Sequence, residues 1–381
     1  MVTSSLITAL KDLLPWAIYN DGVLTDGEIN KAIQKTQAYR DKLTRLRNYY
    51  DGKHDILLRQ YTDASKPNNR IVMNYCEQIA DFYQSYIVGE PIEYGNISDT
   101  ILETFDRTDE PEQSFRNALY LNIYGAAAEI IYPGVYGTRF AAIDPREIIP
   151  IYNTTIEAVQ VGAIRLYKVG EETYIDYYTE RKLKTWRFEN GTMSFLHEKV
   201  HGFKGCPVIY YKAQKGVFEQ LMGLQDAINK LTSDTTNDHE TIVDSLLVIP
   251  GHMNTDPDEV QRMKQNRVLL VDATTKPYWL EKTADRSLGT GLLDRFVSMI
   301  KEKSGLLDMK DLGTFGASGR SIQFKLTITD IVATSLERAL TAGIRQRLKV
   351  LGGTGKETIE FYRNFIIEEG VDDYVNQRNS V

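Results

Sequence analysis

Apolar residues recur at helical spacing in five stretches of the chain, and the breaks between them mark helix ends. The first follows Thr25 and Asp26 and includes Ile29, Ile33, Tyr39, Leu43 and Leu46, stopping near Asp51-Gly52. The second begins at Ile71, includes Tyr75, Ile79, Phe82 and Tyr86, and ends at Gly89 with Pro91 just beyond. The third, Val217 to Asp244, contains no proline and one glycine, Gly223. Leu221, Leu224, Ile228, Leu231, Thr235 and Ile242 mark one of its faces. At 1.5 Å per residue it predicts a rod of roughly 40 Å. A fourth carries Leu292, Leu293, Phe296, Val297 and Ile300 on one side. The fifth runs from about Ser321 to Leu351 with Ile331, Leu336, Leu340, Ile344 and Leu348, and Gly352-Gly353 closes it.

Between the second and third helices the period shortens to two. From about Ala126 to Tyr211 the chain reads as short strands, with Tyr174, Asp176 and Tyr178 alternating with Ile175 and Tyr177. Leu183 to Phe188, then Asn190-Gly191, then Met193 to Phe195 predicts a hairpin with a type I′ turn. After the long helix, Leu246 to Ile249, Val268 to Val271 and Tyr278 to Leu280 read as strands. Asp256 to Gln265 reads as a short helix with Pro257 in its first turn. Leu306 to Gly319 contains Gly313, Gly316 and Gly319 and predicts a loop. The expected class is mixed α+β: a helical and β-rich first part, a long helix, a small α/β insert, a returning helix, a loop and a last long helix.

Composition narrows the function. The 381 residues are 42% hydrophobic and 25% charged, ordinary for a globular chain with a sizeable core. Cys76 and Cys206, far apart and in no CxxC pattern, fit a reducing compartment. The start lacks the basic end and apolar stretch of a signal peptide, and no window approaches the ~20 apolar residues that span a bilayer. A cytoplasmic product with no membrane partner is expected. The net charge of −7 lacks the basic excess by which proteins grip phosphates. Either nucleic acid is no partner, or the protein touches DNA without holding it.

Two motifs suggest enzymes. His197-Glu198-Lys199-Val200-His201 matches HExxH, in which two histidines one helical turn apart bind zinc and the glutamate acts as base. Here it leaves a predicted hairpin arm and runs into Gly202, and in extended chain residues four apart lie about 13 Å from each other. Gly352-Gly353-Thr354-Gly355-Lys356 is similar to a phosphate-binding loop, but Val350 and Glu357 stand where glycine and Ser/Thr are needed, and a helix precedes it. That reads as a helix cap. No Ser/His/Asp order or dinucleotide fingerprint stands out, so neither catalysis nor a cofactor is expected. A zinc hydrolase using His197, Glu198 and His201 stays as a rival.

Several segments, in order, carry a resemblance. They are Tyr49 to His54, Lys66 to Ile71 and Tyr86 to Pro91, then Cys206 to Tyr211, Phe218-Glu219, Leu224 to Asn229, Ser233 to Asp238, Leu247 to Ile249 and Gly251, and last Ser318-Gly319, Phe324 to Leu326, Glu337 and Arg345 to Leu348. Over roughly residues 45 to 350 the chain resembles the portal (connector) proteins of tailed bacteriophages, in the branch found in phages of Gram-positive bacteria. The resemblance implies a wing (1–216), stem helices (217–244 and 287–305) around a small α/β clip (245–286), a tunnel loop (306–319), a long wing helix (320–351) and a short or truncated crown (352–381). It also implies a twelve-subunit ring at one capsid vertex, through which double-stranded DNA passes during packaging and ejection. The partners implied are the terminase large subunit, major capsid and scaffolding proteins, and a head-completion or adaptor protein. The particle is then a virion, assembled in the bacterial cytoplasm, and the chain is no enzyme. A different ring or tail component of the virion is the other rival.

On this reading the tunnel-loop residues Met309, Lys310, Asp311, Leu312, Gly313, Thr314, Phe315 and Gly316 are candidates to reach into the bore, where the alternative is a plain flexible connector. Asp226, Asp234 and Asp238, spaced by multiples of four with Lys230 between them, form a mainly acidic stripe on the first stem helix. Twelve chains of net charge −7 make an acidic channel that lets a duplex slide without sticking. The plainer alternative is a solvated helix face with an i,i+4 pair. Arg345, Arg347 and Lys349 suit the dipole of the last helix, or pairing between subunits, better than DNA binding. The 23 tyrosines suit core and interface packing better than base stacking.

Overall fold

The computed structural model describes residues 16–60, 67–243, 246–250, 262, 268–271, 278–280, 286–306 and 319–363. These form a mixed α+β fold, as the pattern predicts. The chain opens with β1 (Ile18–Tyr19), α1 (Asp26–Lys35), α2 (Gln37–Tyr50), α3 (Tyr75–Val88), β2 (Glu93–Gly95), α4 (Asp99–Thr108) and α5 (Glu110–Tyr124). The β-rich part follows: β3 (Ala126–Gly134), β4 (Gly137–Ile143), β5 (Ile148–Tyr152), β6 (Gln160–Val169), β7 (Glu172–Tyr178), β8 (Lys182–Glu189), β9 (Thr192–Val200) and β10 (Val208–Lys212). The rest is α6 (Met222–Val243), β11 (Leu246–Pro250), β12 (Val268–Val271), β13 (Tyr278–Leu280), α7 (Arg286–Ser304), α8 (Gly319–Val350) and β14 (Thr358–Glu360). The short helix expected over 256–265 lies outside the described residues apart from Arg262.

By packing the chain divides into two units: Met1–Asp51, Cys76–Gln220 and Ser304–Val381 in the first, Gly52–Tyr75 and Leu221–Lys303 in the second. The division cuts across the expected 1–216 wing, because Gly52–Tyr75 belongs with the later residues.

In the first unit, β5 to β9 form an antiparallel meander to which β1 adds in parallel on β5. The β8–β9 turn has positive φ at Asn190 (49°) and Gly191 (80°), the geometry of the type I′ turn expected there. Helix α1 covers one face of the meander. Ile29, Ala32 and Ile33 pack with Ile149, Ile164, Ile175 and Trp186, all buried. A capping box between Thr25 and Glu28 starts this helix. It ends at Thr36, whose hydroxyl bonds back to the Ala32 and Ile33 carbonyls. That back-bonding splits the single helical run of the sequence into α1 and α2.

A second, three-stranded sheet, β10-β3-β4, carries α5 on β3 and α8 on β10. Helix α5 gives little periodic signal, since its buried side includes Glu110, Ser114, Asn117 and Asn122 among its apolar residues. The chain end returns through β14, which pairs with β2, to Arg363, whose guanidinium binds Asp330 and Glu337 of α8. Tyr49, Tyr83, Tyr177, Tyr210 and Tyr211 are buried, the packing role expected for tyrosine.

In the second unit, α6 lies along the extended segment 67–75 and the short 3-10 turn Asp55–Leu58. Strands β12-β11-β13 form a small mixed sheet, with β11 parallel to β12 and antiparallel to β13. Helix α3 begins at Tyr75, four residues later than its apolar pattern suggests. The reason is that alternate amides from Asn69 to Tyr75 are taken by side chains of α6.

Candidate functional site

The face of α6 carrying Gln225, Asn229, Ser233 and Asn237 is a ladder of short polar side chains. Asn237 Oδ1 accepts from the Asn69 amide (2.8 Å), Ser233 Oγ from Ile71 (2.9 Å), Asn229 Oδ1 from Met73 (2.9 Å) and Gln225 Oε1 from Tyr75 (3.0 Å). The match is geometric. Four residues of helix advance about 6 Å, and two residues of extended chain about 6.6 Å, so every second amide meets every fourth side chain. The helix thereby acts as a neighbouring strand for 69–75. With Oδ1 committed to Met73, the Asn229 amide group donates to Nδ1 of buried His54 at 2.7 Å.

The acidic stripe lies one residue further round the same helix. Asp226 is half-buried, Asp234 is half-buried and ion-paired with Arg59 at 2.5 Å, and Asp238 is exposed. So the structure puts the three carboxylates on one row but gives them three different environments. Residues Met309 to Gly316 lie outside the described residues.

The HExxH residues sit on extended chain. His197 and Glu198 are on β9, the edge strand of the meander, and His201 follows it. Glu198 is bound by Lys182 and Lys184 from β8. His201 Nδ1 accepts from the Phe203 amide (3.2 Å) and Nε2 faces the Thr179 carbonyl (3.1 Å), which fixes a neutral tautomer with the proton on Nε2. Both ring nitrogens are therefore occupied, and burial lowers the pKa of this ring. Among the described residues no group of three or more His, Cys, Asp or Glu is placed to hold a metal.

The glycine-rich turn after α8 is a helix cap. Gly353 N–H reaches the Leu348 carbonyl (2.8 Å) and Gly352 sits at φ 94°. Its amides do bind an anion, but the anion belongs to the chain itself: the Glu357 carboxylate accepts from the Thr354 (2.5 Å) and Gly355 (2.9 Å) amides. The nest that a phosphate would need is filled.

Arg347 is where the sequence reading and the structure part most. Its position near the end of α8 suggested dipole complementation or pairing between subunits, yet the side chain is fully buried in its own chain. Nε and Nη2 hold the two oxygens of Glu129, each at 2.8 Å, and Nη1 holds Glu110 at 2.7 Å. The guanidinium lies 4.4 Å from the centre of the Phe140 ring and also donates to Tyr211 Oη at 3.1 Å. Glu110 accepts further from Tyr94 and Ser114, and Glu129 from Asn117 (3.0 Å). Two carboxylates thus share one guanidinium, and neutral donors add further hydrogen bonds to each. Burial alone would depress the Arg347 pKa, but the Glu129 carboxylate holds it well above the ordinary value. Burial likewise pushes the Tyr94 and Tyr211 hydroxyls well above the usual phenol range. With the guanidinium held in its charged state, the cluster is a junction between α5, β3, β10 and α8. A signal for it exists in the sequence. Glu129 interrupts the apolar run Ala126 to Ile131, where a lone carboxylate needs a buried partner.

The family model for phage portal proteins of the SPP1 Gp6-like type matches residues 29–358. The portal protein of Bacillus phage SPP1 is 23% identical, the match covering 83% of this chain and 67% of that one. The portal protein of Clostridium phage phiCD119 is 21% identical, with 87% and 84% covered. Among solved structures, a chain from the neck of an empty GTA particle aligns over 89% of this chain and 88% of its own, at 10% identity and a TM-score of 0.44. An HK97 family phage portal protein from Corynebacterium diphtheriae aligns over 75% and 91%, at 12% identity and a TM-score of 0.35.

Proposed function

The chain belongs to the phage portal protein family of the SPP1 Gp6-like type, and from that premise we propose that twelve copies close into a ring at one capsid vertex, the channel for double-stranded DNA. The observation that carries this is the extent of the family match, which runs through nearly all of both packing units. As a portal family member the chain is a structural component of the virion.

In this reading α6 and α7 are the stem helices, residues 245–286 the clip, 306–319 the tunnel loop and α8 the long wing helix. Residues 1–216 make the wing and 352–381 belong to the crown. The acidic row of α6 faces the bore. Arg59 on Asp234 tempers the middle of that row, so exposed Asp238 presents the strongest charge to passing DNA. The terminase large subunit docks on the ring during packaging, and a head-completion or adaptor protein docks afterwards. Scaffolding and major capsid proteins surround it.

Electron-microscope class averages of the purified protein test the proposal. Closed rings with a central hole and twelve- or thirteen-fold symmetry are expected. A chain that stays monomeric both alone and with its scaffolding protein overturns it. Deleting Met309 to Ala317 is expected to spare ring assembly and impair DNA packaging; normal packaging by that deletion removes the tunnel-loop assignment.

A further inference from the structure

The buried side of α8 contains two rows of residues, each spaced by four. One row is Leu336, Leu340, Ile344 and Leu348, all buried and all aliphatic. The other is Ala339, Gly343 and Arg347, also buried. The two rows differ in what they specify. Slide the helix by one turn, about 5.4 Å, and the aliphatic row maps onto itself, leucine onto leucine or isoleucine. Hydrophobic packing alone therefore leaves registers one turn apart close in energy.

The second row does not repeat. Gly343 lies flat against Tyr211 of β10: a Cβ built there would come within 2.1 Å of the ring. One turn on, Arg347 enters between Glu129 and Glu110, and the hydroxyl of the same Tyr211 reaches it. A shift toward either end places Ala339 or Arg347 under the ring, where neither fits. The same shift brings Gly343 or Leu351 between the two carboxylates, which leaves both buried and uncompensated.

We propose that Gly343, Tyr211, Arg347, Glu129 and Glu110 form a register lock that fixes the axial position of α8, the aliphatic row supplying adhesion without position. The role parallels a single buried polar residue that sets register in a coiled coil. The lock stands on the geometry of the first unit and not on the portal reading. Where that reading holds, α8 follows directly on the tunnel loop, so the lock sets the height of the loop's C-terminal root.

The test measures position rather than stability. Cys76 and Cys206 are buried, so spin labels can be directed to exposed Lys349→Cys and Thr192→Cys, with labelled chains diluted in unlabelled protein to read pairs within one chain. The parent protein should give one narrow distance. The variant carrying Tyr211→Ala together with Arg347→Met, Glu129→Gln and Glu110→Gln removes the ring and every charge of the lock. It should fold, by circular dichroism, and show a second distance population reflecting displacement by about one helical pitch, 5.4 Å. A folded variant of this kind with the single parental distance overturns the lock and leaves the cluster as a stabilising contact only. If it does not fold, the double variant Tyr211→Ala, Arg347→Lys is measured the same way, since it removes the ring, keeps one charge and loses the two-oxygen grip on Glu129. A broadened distance then supports the lock, and an unchanged narrow one overturns it.

Discussion

The cluster around Arg347 and the ladder on α6 both take polar groups out of water, one with charges and the other with amides and hydroxyls. In the cluster, three ionic side chains converge on one point with neutral donors filling the gaps. In the ladder, four side chains each satisfy one backbone amide along a line. The geometry decides how each fails. Remove the guanidinium and two carboxylates lose their counter-charge at once. Remove one rung and a single amide loses its partner while its neighbours stay in place. The first arrangement behaves as a switch between made and broken, the second as a sum of small terms.

Arg347→Ala is therefore expected to have the largest effect, a loss of about 3–5 kcal/mol, the usual cost of stranding a buried charge partner. Urea unfolding of the purified protein reads it. A loss below about 1 kcal/mol would mean that water enters the cluster, and the contrast with the ladder would disappear. Glu129→Gln should cost less than Arg347→Ala, since one carboxylate remains to balance the guanidinium.

Asn229→Ala comes next, at about 1–3 kcal/mol. It holds the Met73 amide, the Gln225 side chain and His54 together. Hydrogen exchange should show the loss locally, with deprotection concentrated at the Met73 amide and the first unit unchanged. Ser233→Ala should cost about 1 kcal/mol, one hydrogen bond to Ile71, with exchange rising at that amide first. If either substitution frees the whole segment 69–75, the ladder is cooperative and the comparison with the cluster must be redrawn.

How much of this was legible beforehand follows from the same chemistry. Strands β11 to β13 and helices α7 and α8 lie within two residues of where apolar spacing puts them, α6 starts five residues later than Val217, and the Asn190-Gly191 turn is where its sequence says. Those signals are local. The ladder is different: Gln225, Asn229, Ser233 and Asn237 do stand at a spacing of four, but nothing near them names segment 69–75 as the partner. Its amides are invisible in sequence, so α3 reads four residues too long at its start. Helix α5 went unread because a buried face containing Glu110, Ser114, Asn117 and Asn122 has little apolar period, whereas α4, with Ile101 and Phe105 on its buried side, does carry one. Arg347 was misread for a related reason. A cation in the last turns of a helix has a local explanation, and its true partners are 218 and 237 residues away. Of the candidate site, the acidic row is present as spaced, though its three members differ in burial, while Met309 to Gly316 lie outside the described residues.

Glu357 offers the smallest effect and the sharpest control, because it is a carboxylate held by donors with water still at hand. Hydrogen bonds from its own backbone amide and from that of Thr354 hold its pKa below the ordinary carboxyl range. A carboxyl depressed by folding stabilises the folded loop above its unfolded pKa of about 4.3 and loses that contribution as the pH falls through its lower folded value. Exchange protection of the 352–357 amides, taken as the ratio of parent to Glu357→Gln, should exceed one at pH 6. It should decline toward one only below about pH 4, while global stability differs little between the two proteins. A decline centred above the ordinary carboxyl value would mean that the nest does not hold the carboxylate in solution. It would also leave the glycine-rich turn open to an outside anion, the role that its own side chain otherwise denies it.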